Sequence, residues 1–240
     1  MFEPIKEAFG AYMGRFFTPA NLQPTTRPMV EYVQRPLEHA VAWCPGRMVD
    51  YAEYMLAEWQ KNNTDSAITQ GFGRLPVVLV AMAKDYSLVD GMPVLDPEYV
   101  TLPGDEKRRV FMLQTITGTI RVQVAIFAED EPTARSIAAQ FLRYVKTRNN
   151  RDMAANFCFA GMRQAWGMSV MADTATASSV PVEAKNLTIL TVDLSLQVTI
   201  PRYTAPGVGE PNDGKGIPGT DDPAGYPVVL DTVNGVESAS

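Results

Sequence analysis

Residues 110–147 constrain this 240-residue chain more than any other stretch. Ile120, Val122, Val124 and Ile126 share one side of an extended segment, against Thr119, Arg121 and Gln123. Val110–Ile116 reads as a second extended run, and Thr117-Gly118 lies between the two. A two-residue turn there predicts a β-hairpin, with Gly supplying a positive φ. That register sets Leu113 opposite Val122 and Phe111 opposite Val124. Pro132–Thr147 then switches to helical spacing. Ala134, Ile137, Ala138, Phe141, Leu142 and Val145 form one stripe, and Arg135, Gln140 and Arg143 face away from it. Asp130 and Glu131 place carboxylates at the helix start, Pro132 suits a first turn, and Lys146 and Arg148 suit the last carbonyls. The helix is expected to lie back across the hairpin.

The second strong signal is residues 187–200. Leu190, Val192, Leu194, Leu196, Val198 and Ile200 alternate with Thr191, Asp193, Ser195, Gln197 and Thr199. Such alternation puts one face in a core and the other against water or a polar surface. Residues 190–200 span roughly 36 Å at about 3.3 Å each, some twice an ordinary strand. Pro201 is expected to end the strand. Residues 75–82, LPVVLVAM, read as a buried strand with Pro76 at its start. Residues 83–108 read as one long irregular loop, a type often used for contact. Between 149 and 185 the pattern weakens. Phe157, Phe159 and Trp166–Met171 fit a strand pair, or a short helix with a strand. A strand near 166–172 is expected, and Ala172–Val180 reads as a loop.

Ile5, Phe9, Tyr12, Met13 and Phe16 fall at helical spacing over residues 3–17. This helix either packs on its own domain or docks on a neighbour. Residues 29–43 look helical but split at Pro36. A further helix carrying Met48, Ala52, Met55, Leu56 and Trp59 would complete an αα-hairpin. After Tyr203 the chain turns to Pro and Gly without periodicity. It reads as an arm whose free-coil span would be roughly 34 Å. Pro227–Leu230 is the apolar spot near its end, suited to adding a strand to another subunit's sheet. The organisation expected is an N-terminal helical segment (1–74), an α+β core (75–203) and an extended acidic arm (204–240). The fold class is α+β, an antiparallel or mixed sheet with helices packed on one face.

Formal net charge is −6, which argues against a dedicated nucleic-acid binder. Residues 203–240 hold six acids against Lys215 alone, so the acid excess sits mostly in the arm. No apolar run reaches the ~18 residues of a membrane span. The N-terminal MFEPIKEAFG lacks the apolar core of a signal peptide. Cys44 and Cys158 stand apart and read as reduced thiols of a cytosolic product.

The sequence shows no catalytic constellation. His39 is the single histidine, no Cys lies at ligand spacing, and there is no GxSxG. Gly71-Phe72-Gly73 is followed by Pro76, not by the third glycine and helix of a dinucleotide loop. Gly214-Lys215-Gly216 lacks the Ser or Thr of a P-loop, and Asp221-Asp222 lacks calcium-loop spacing. Glu129-Asp130-Glu131 reads as helix capping. No catalytic, cofactor-binding or metal residue is therefore assigned.

The runs GTIRVQVAIFAEDEPTARSIAAQFLRYVKT (118–147) and NLTILTVDLSLQVTIPRY (186–203) together resemble the tail-terminator and related neck proteins of tailed bacteriophages. The resemblance is one of layout and covers about a fifth of the chain. It implies a virion protein forming a ring, usually of six copies. Such a ring caps the tail tube and joins tube and sheath to the head connector. Its partners would be its own copies and the adjacent tube, sheath and neck proteins, and DNA would pass through without specific binding. It implies no enzyme, cofactor or membrane, assembly in the host cytoplasm, and residence in the virion. On the hairpin, Val110, Met112, Ile116, Ala125 and Phe127 face away from the helix-covered side and need a cover. Candidate contacts to a second subunit are Met112, Ile116, Phe127, Phe9, Phe16, Val228, Val229 and Leu230. Other readings stay open: a collar or baseplate protein, a small cytosolic enzyme, or a binding module.

Overall fold

The computed structural model describes residues 2–44, 75–88, 96–182 and 186–227. Four helices are found there: α1 (Glu3–Phe16), α2 (Arg27–Tyr32), α3 (Leu37–Ala40) and α4 (Glu131–Lys146). The strands are β1 (Val41–Trp43), β2 (Val77–Met82), β3 (Ser87–Leu88), β4 (Glu98–Thr101), β5 (Val110–Ala128), β6 (Asp152–Phe159), β7 (Met162–Val180) and β8 (Thr188–Thr204). They form one sheet in the order β1-β2-β5-β8-β7-β6, with β3 and β4 also paired to β5. β1 is parallel to β2, whereas β2, β3 and β4 are antiparallel to β5, and β7 is antiparallel to β8. The sheet is therefore mixed and the fold is α+β.

The expected hairpin at Thr117-Gly118 is absent. Residues 110–128 form one uninterrupted strand. Thr is β-branched and resists the positive φ that both turn positions would need. Gly118 serves close approach instead. A Cβ there would lie 2.5 Å from the Ser87 carbonyl oxygen and against the Tyr86 ring. The partners of β5 change along its length. Phe111 faces Val100 and Leu113 faces Glu98, while Val122 faces Met82 and Val124 faces Val80. Short strands β3 and β4 thus occupy part of what looked like a loop over 83–108.

Beyond α4 the chain forms the strand pair that the aromatic spacing left open. β6 and β7 join through Ala160-Gly161, both at positive φ (51° and 76°), as a two-residue hairpin turn requires. β7 runs through Ala172–Val180, which composition marked as a loop. Its register shifts between Met171, paired with Ser195, and Thr176, paired with Asp193. Within this bulge Thr174 bridges the gap: its hydroxyl donates to Met171 O and accepts from Ser195 N. β8 alternates as read, with Val192, Leu194, Leu196, Val198 and Ile200 buried. It continues past Pro201 to Thr204. Proline's φ is compatible with extended chain and removes only one donor. The polar side of β8 is hydrogen-bonded: Gln123 donates to Asp193 at 2.7 Å, and Thr117 and Thr199 hydroxyls meet at 3.2 Å.

α4 starts where Asp130 caps it. One carboxylate oxygen accepts from Thr133 N at 2.8 Å and the other from the Thr133 hydroxyl at 3.0 Å. Ile137, Phe141 and Val145 are buried, and so is Tyr144, while Leu142 is only half-buried. α1 packs against this face. Phe16 meets Phe141 edge-on at 5.0 Å, and Tyr12 meets Tyr144 at 5.1 Å. The following loop is stitched to α4: Gln23 and Gln140 exchange two hydrogen bonds, and the Thr26 and Thr133 hydroxyls lie 2.7 Å apart. Pro36 separates α2 from α3 as expected, but residues 41–43 become strand β1. The helix expected around Met48–Trp59 lies outside the described residues.

The opposite face of the sheet has its own core. Val77, Leu79, Ala125, Phe127 and Ile189 form it, with Cys44, Leu75, Val180 and Leu187 packed around them. Among the described residues no helical one takes part. The chain divides into two compact units that cut across the segments 1–74, 75–203 and 204–240. One comprises Met1–Met92, Thr117–Asn156 and Trp166–Thr199; the other comprises Pro93–Ile116, Phe157–Ala165 and Ile200–Ser240.

Candidate functional site

Three of the residues expected to meet a partner are enclosed by their own unit instead. Phe9 is fully buried, stacked on Tyr12 at 5.4 Å and edge-on to Trp43 at 6.3 Å. Phe16 is buried against Phe141 and Tyr144, and Phe127 sits inside the second core. Of the two readings of the N-terminal helix, this is packing on its own domain, and these rings have no surface to offer a neighbour. Met112 and Ile116 are half-buried. Val228, Val229 and Leu230 lie outside the described residues.

Exposed apolar side chains occur elsewhere. In the second unit Val208 is 84 % exposed, Ile217 66 % and Tyr99 65 %. In the first, Leu88 is 56 % exposed on the two-residue strand β3. Val208 and Ile217 belong to the Pro/Gly segment, and the described part of that segment is not a free arm. It folds into turns held to the rest of the second unit. Tyr226 N donates to Val110 O at 2.7 Å, Asp213 N to Gly225 O at 3.0 Å, and Tyr99 meets the Tyr226 ring edge-on at 5.4 Å. Gly225 allows this approach: a Cβ there would lie 2.8 Å from Arg109 Cβ and 2.9 Å from Val110 N.

Arg109 is the centre of that attachment. Its Nε donates to Asp105 Oδ2 and its Nη2 to Asp105 Oδ1, both at 3.0 Å. Its Nη1 donates to Asp222 Oδ1 at 2.6 Å and to the Pro223 carbonyl at 2.7 Å. Lys107 also binds Asp222. The guanidinium lies 5.4 Å from the centre of the Phe111 ring, which meets Phe159 edge-on. Hydrogen bonds from Arg109 hold the Asp105 carboxyl below its ordinary pKa, and those from Lys107 and Arg109 do the same for Asp222. Sequence reading missed this cluster. Its signal was present in Asp105 and Arg109 at i,i+4 in a turn-rich stretch, but the partner Asp222 is 113 residues away.

The sequence motifs weighed for chemistry stay apart. His39 lies half-buried on α3. Cys44 is half-buried and Cys158 exposed, each as a free thiol. Gly214-Lys215-Gly216 is a turn of the folded segment, where Asn212 and Asp213 side chains accept from Gly214 N and Lys215 N. Gly71-Phe72-Gly73 falls outside the described residues. Among the described residues no group of three His, Cys, Asp or Glu side chains could hold a metal ion. A cavity of about 240 Å³ in the first unit is lined by Gly10, Met13, Leu37, Glu38, Trp43 and Val80 among the described residues. No described helix is long and apolar enough to cross a membrane.

What fold and surface define together is an α+β protein with a mixed eight-stranded sheet and apolar side chains exposed on a folded C-terminal segment. No family model matches the chain, and no curated protein matches it.

Proposed function

We propose that the chain is a structural subunit of a tailed-phage neck. It would be a tail-terminator-like ring protein joining tail tube and sheath to the head connector around the DNA channel. The observation that carries this reading is the layout of the body. A long strand, β5, leads through Glu129 and the capping Asp130 directly into amphipathic α4, and a long alternating strand, β8, lies beside β5 in the sheet. Of the three parts the resemblance rests on, the amphipathic helix and the long alternating strand support it, while the hairpin at Thr117-Gly118 is replaced by a continuous strand.

The exposed Val208, Ile217 and Tyr99 support the same reading, since apolar side chains in one small unit favour a cover. A neighbouring copy supplies one, and a head-to-tail contact that closes on itself gives a ring. Light scattering on a sizing column, with electron microscopy of the peak, tests it. The expected result is an annular particle whose mass is a multiple of 26.4 kDa. A monomer at the highest soluble concentration, unchanged when purified tail-tube protein is added, would overturn it.

A further inference from the structure

We propose that the C-terminal end of α4, with the end of α1 beside it, docks the phosphate backbone of duplex DNA without reading its sequence. Between Glu131 and Asp152 the chain has no acid, yet it carries Arg135, Arg143, Lys146, Arg148 and Arg151. Between Glu7 and Glu31 it again has no acid, and Arg15 lies at the end of α1. The fold brings these two stretches together. Arg15 donates to the Asp152 carbonyl at 3.2 Å, and Asn21 donates to the Arg15 carbonyl at 2.8 Å. Arg143 donates to the Asn21 carbonyl at 3.4 Å, and Arg151 to the Lys146 carbonyl at 2.7 Å. Arg15, Arg143, Lys146, Arg148 and Arg151 therefore gather at one helix end, with a single exposed acid of these stretches, Asp152, beside them.

None of these five has a carboxylate partner among the described residues. Among the described residues the ion pairs of this unit lie elsewhere: Lys6 with Glu3, Arg121 with Asp85, and Arg135 with Glu131 at the far end of α4. The guanidiniums of Arg15, Arg143 and Arg151 each spend one donor on a backbone carbonyl, and Arg151 Nε is buried, so the remaining guanidinium nitrogens are the ones left to meet a phosphate. The dipole of α4 explains Arg143 and Lys146, which sit on its last turn. The dipole of α1 does the same for Arg15 on its own last turn, but neither accounts for Arg148 and Arg151, which lie beyond the end of α4. Five crowded cations repel one another, and a polyanion relieves that repulsion. Four of the five are Arg, whose planar fork matches a phosphate. Three acids of this chain's own C-terminal segment are already engaged. Asp222 is held by Arg109 and Lys107, and Asp213 and Glu210 accept from backbone N–H groups. The net charge of −6 keeps such binding local. The surface stands on these side chains and not on the ring reading, so a chain that never closes a ring would still bind through it.

The test is anisotropy of a short labelled duplex titrated with the full chain over a series of salt concentrations. The expected slope of log K against log salt is about −3 to −4.5, at roughly 0.9 per phosphate neutralised. Lys146→Gln with Arg148→Gln, both exposed, should lower the slope by about 1.8 and weaken binding at low salt at least ~10-fold. Arg15→Gln with Arg143→Gln should act alike, and exposed Lys84→Gln should change nothing. A circular-dichroism melt matching the parent shows each variant folded. No binding at low salt would overturn the proposal, as would equal binding by parent and patch variants. Variants that change particle mass while neither they nor the parent bind DNA would also overturn it, assigning the patch to carboxylates of a second copy.

Discussion

Gly118 and Arg109 show how single residues act here through neighbours far away in the chain. Gly118→Ala places a methyl against the Ser87 carbonyl and the Tyr86 ring. Overpacking of this kind costs about 1–3 kcal/mol, so a lowered urea midpoint with unchanged slope is expected. Arg109→Met strands Asp105, whose side chain is only 3 % exposed. Breaking a buried pair from one side costs about 3–5 kcal/mol, and the segment 205–227 should become the first site of limited proteolysis. The same pair sets an acid limit. Arg109 hydrogen bonds lower the Asp105 pKa, so its ionised form favours the fold. Its contribution is complete above the ordinary Asp value of about 3.9 and is lost as pH falls through the lowered one. Near-ultraviolet dichroism of Tyr99 and Tyr226 should report that loss in acid. Tyr32 sets the opposite limit. Burial raises its pKa, so its contribution is complete below about pH 10 and lost as pH rises through the raised value.

At the scale of elements, α4 and the β6–β7 turn offer tests of opposite sign. Asp130→Ala removes the cap on Thr133 N and should cost about 1 kcal/mol. Ala160 holds φ 51°, a conformation that penalises an L side chain by about 1–2 kcal/mol and that Asn tolerates better. Ala160→Asn should therefore raise the melting temperature. The same elements show what could be read in advance. The α4 stripe and its Asp cap were legible because a helix repeats its pattern every few residues. The alternation of β8 was legible because its polar partners, Gln123, Thr117 and Ser178, come from neighbouring strands and leave its own period intact. β7 was not, because a bulge at Met171–Thr176 breaks the period, and Thr174 replaces the ladder bond that is lost.

For the whole molecule, the exposed Val208 and Ile217 are where the assembly reading is tested. If the ring reading holds, Val208→Asp with Ile217→Asp should leave the melt unchanged and shift the light-scattering mass toward 26.4 kDa. Both side chains are solvent-exposed, so an intact fold with a lost assembly is a clean result. Of the candidate contacts, Met112 and Ile116 keep partial exposure, while Phe9, Phe16 and Phe127 are spent on internal packing. Val208 and Ile217, which sequence reading passed over, sit singly in a Pro/Gly run, where no periodicity could flag them.

By itself the sequence determined the α+β class, the span of α1 and α4, the strand at 75–82 and the inward face of β8. All of these follow from local propensity and a repeating apolar pattern. Only the tertiary structure decided that Thr117-Gly118 continues a strand, that the N-terminal aromatics close onto α4, and that residues 205–227 fold back through Arg109. Each depends on contacts between residues distant in the chain. There the gain comes from burial and paired charge, and a local pattern carries no trace of the partner.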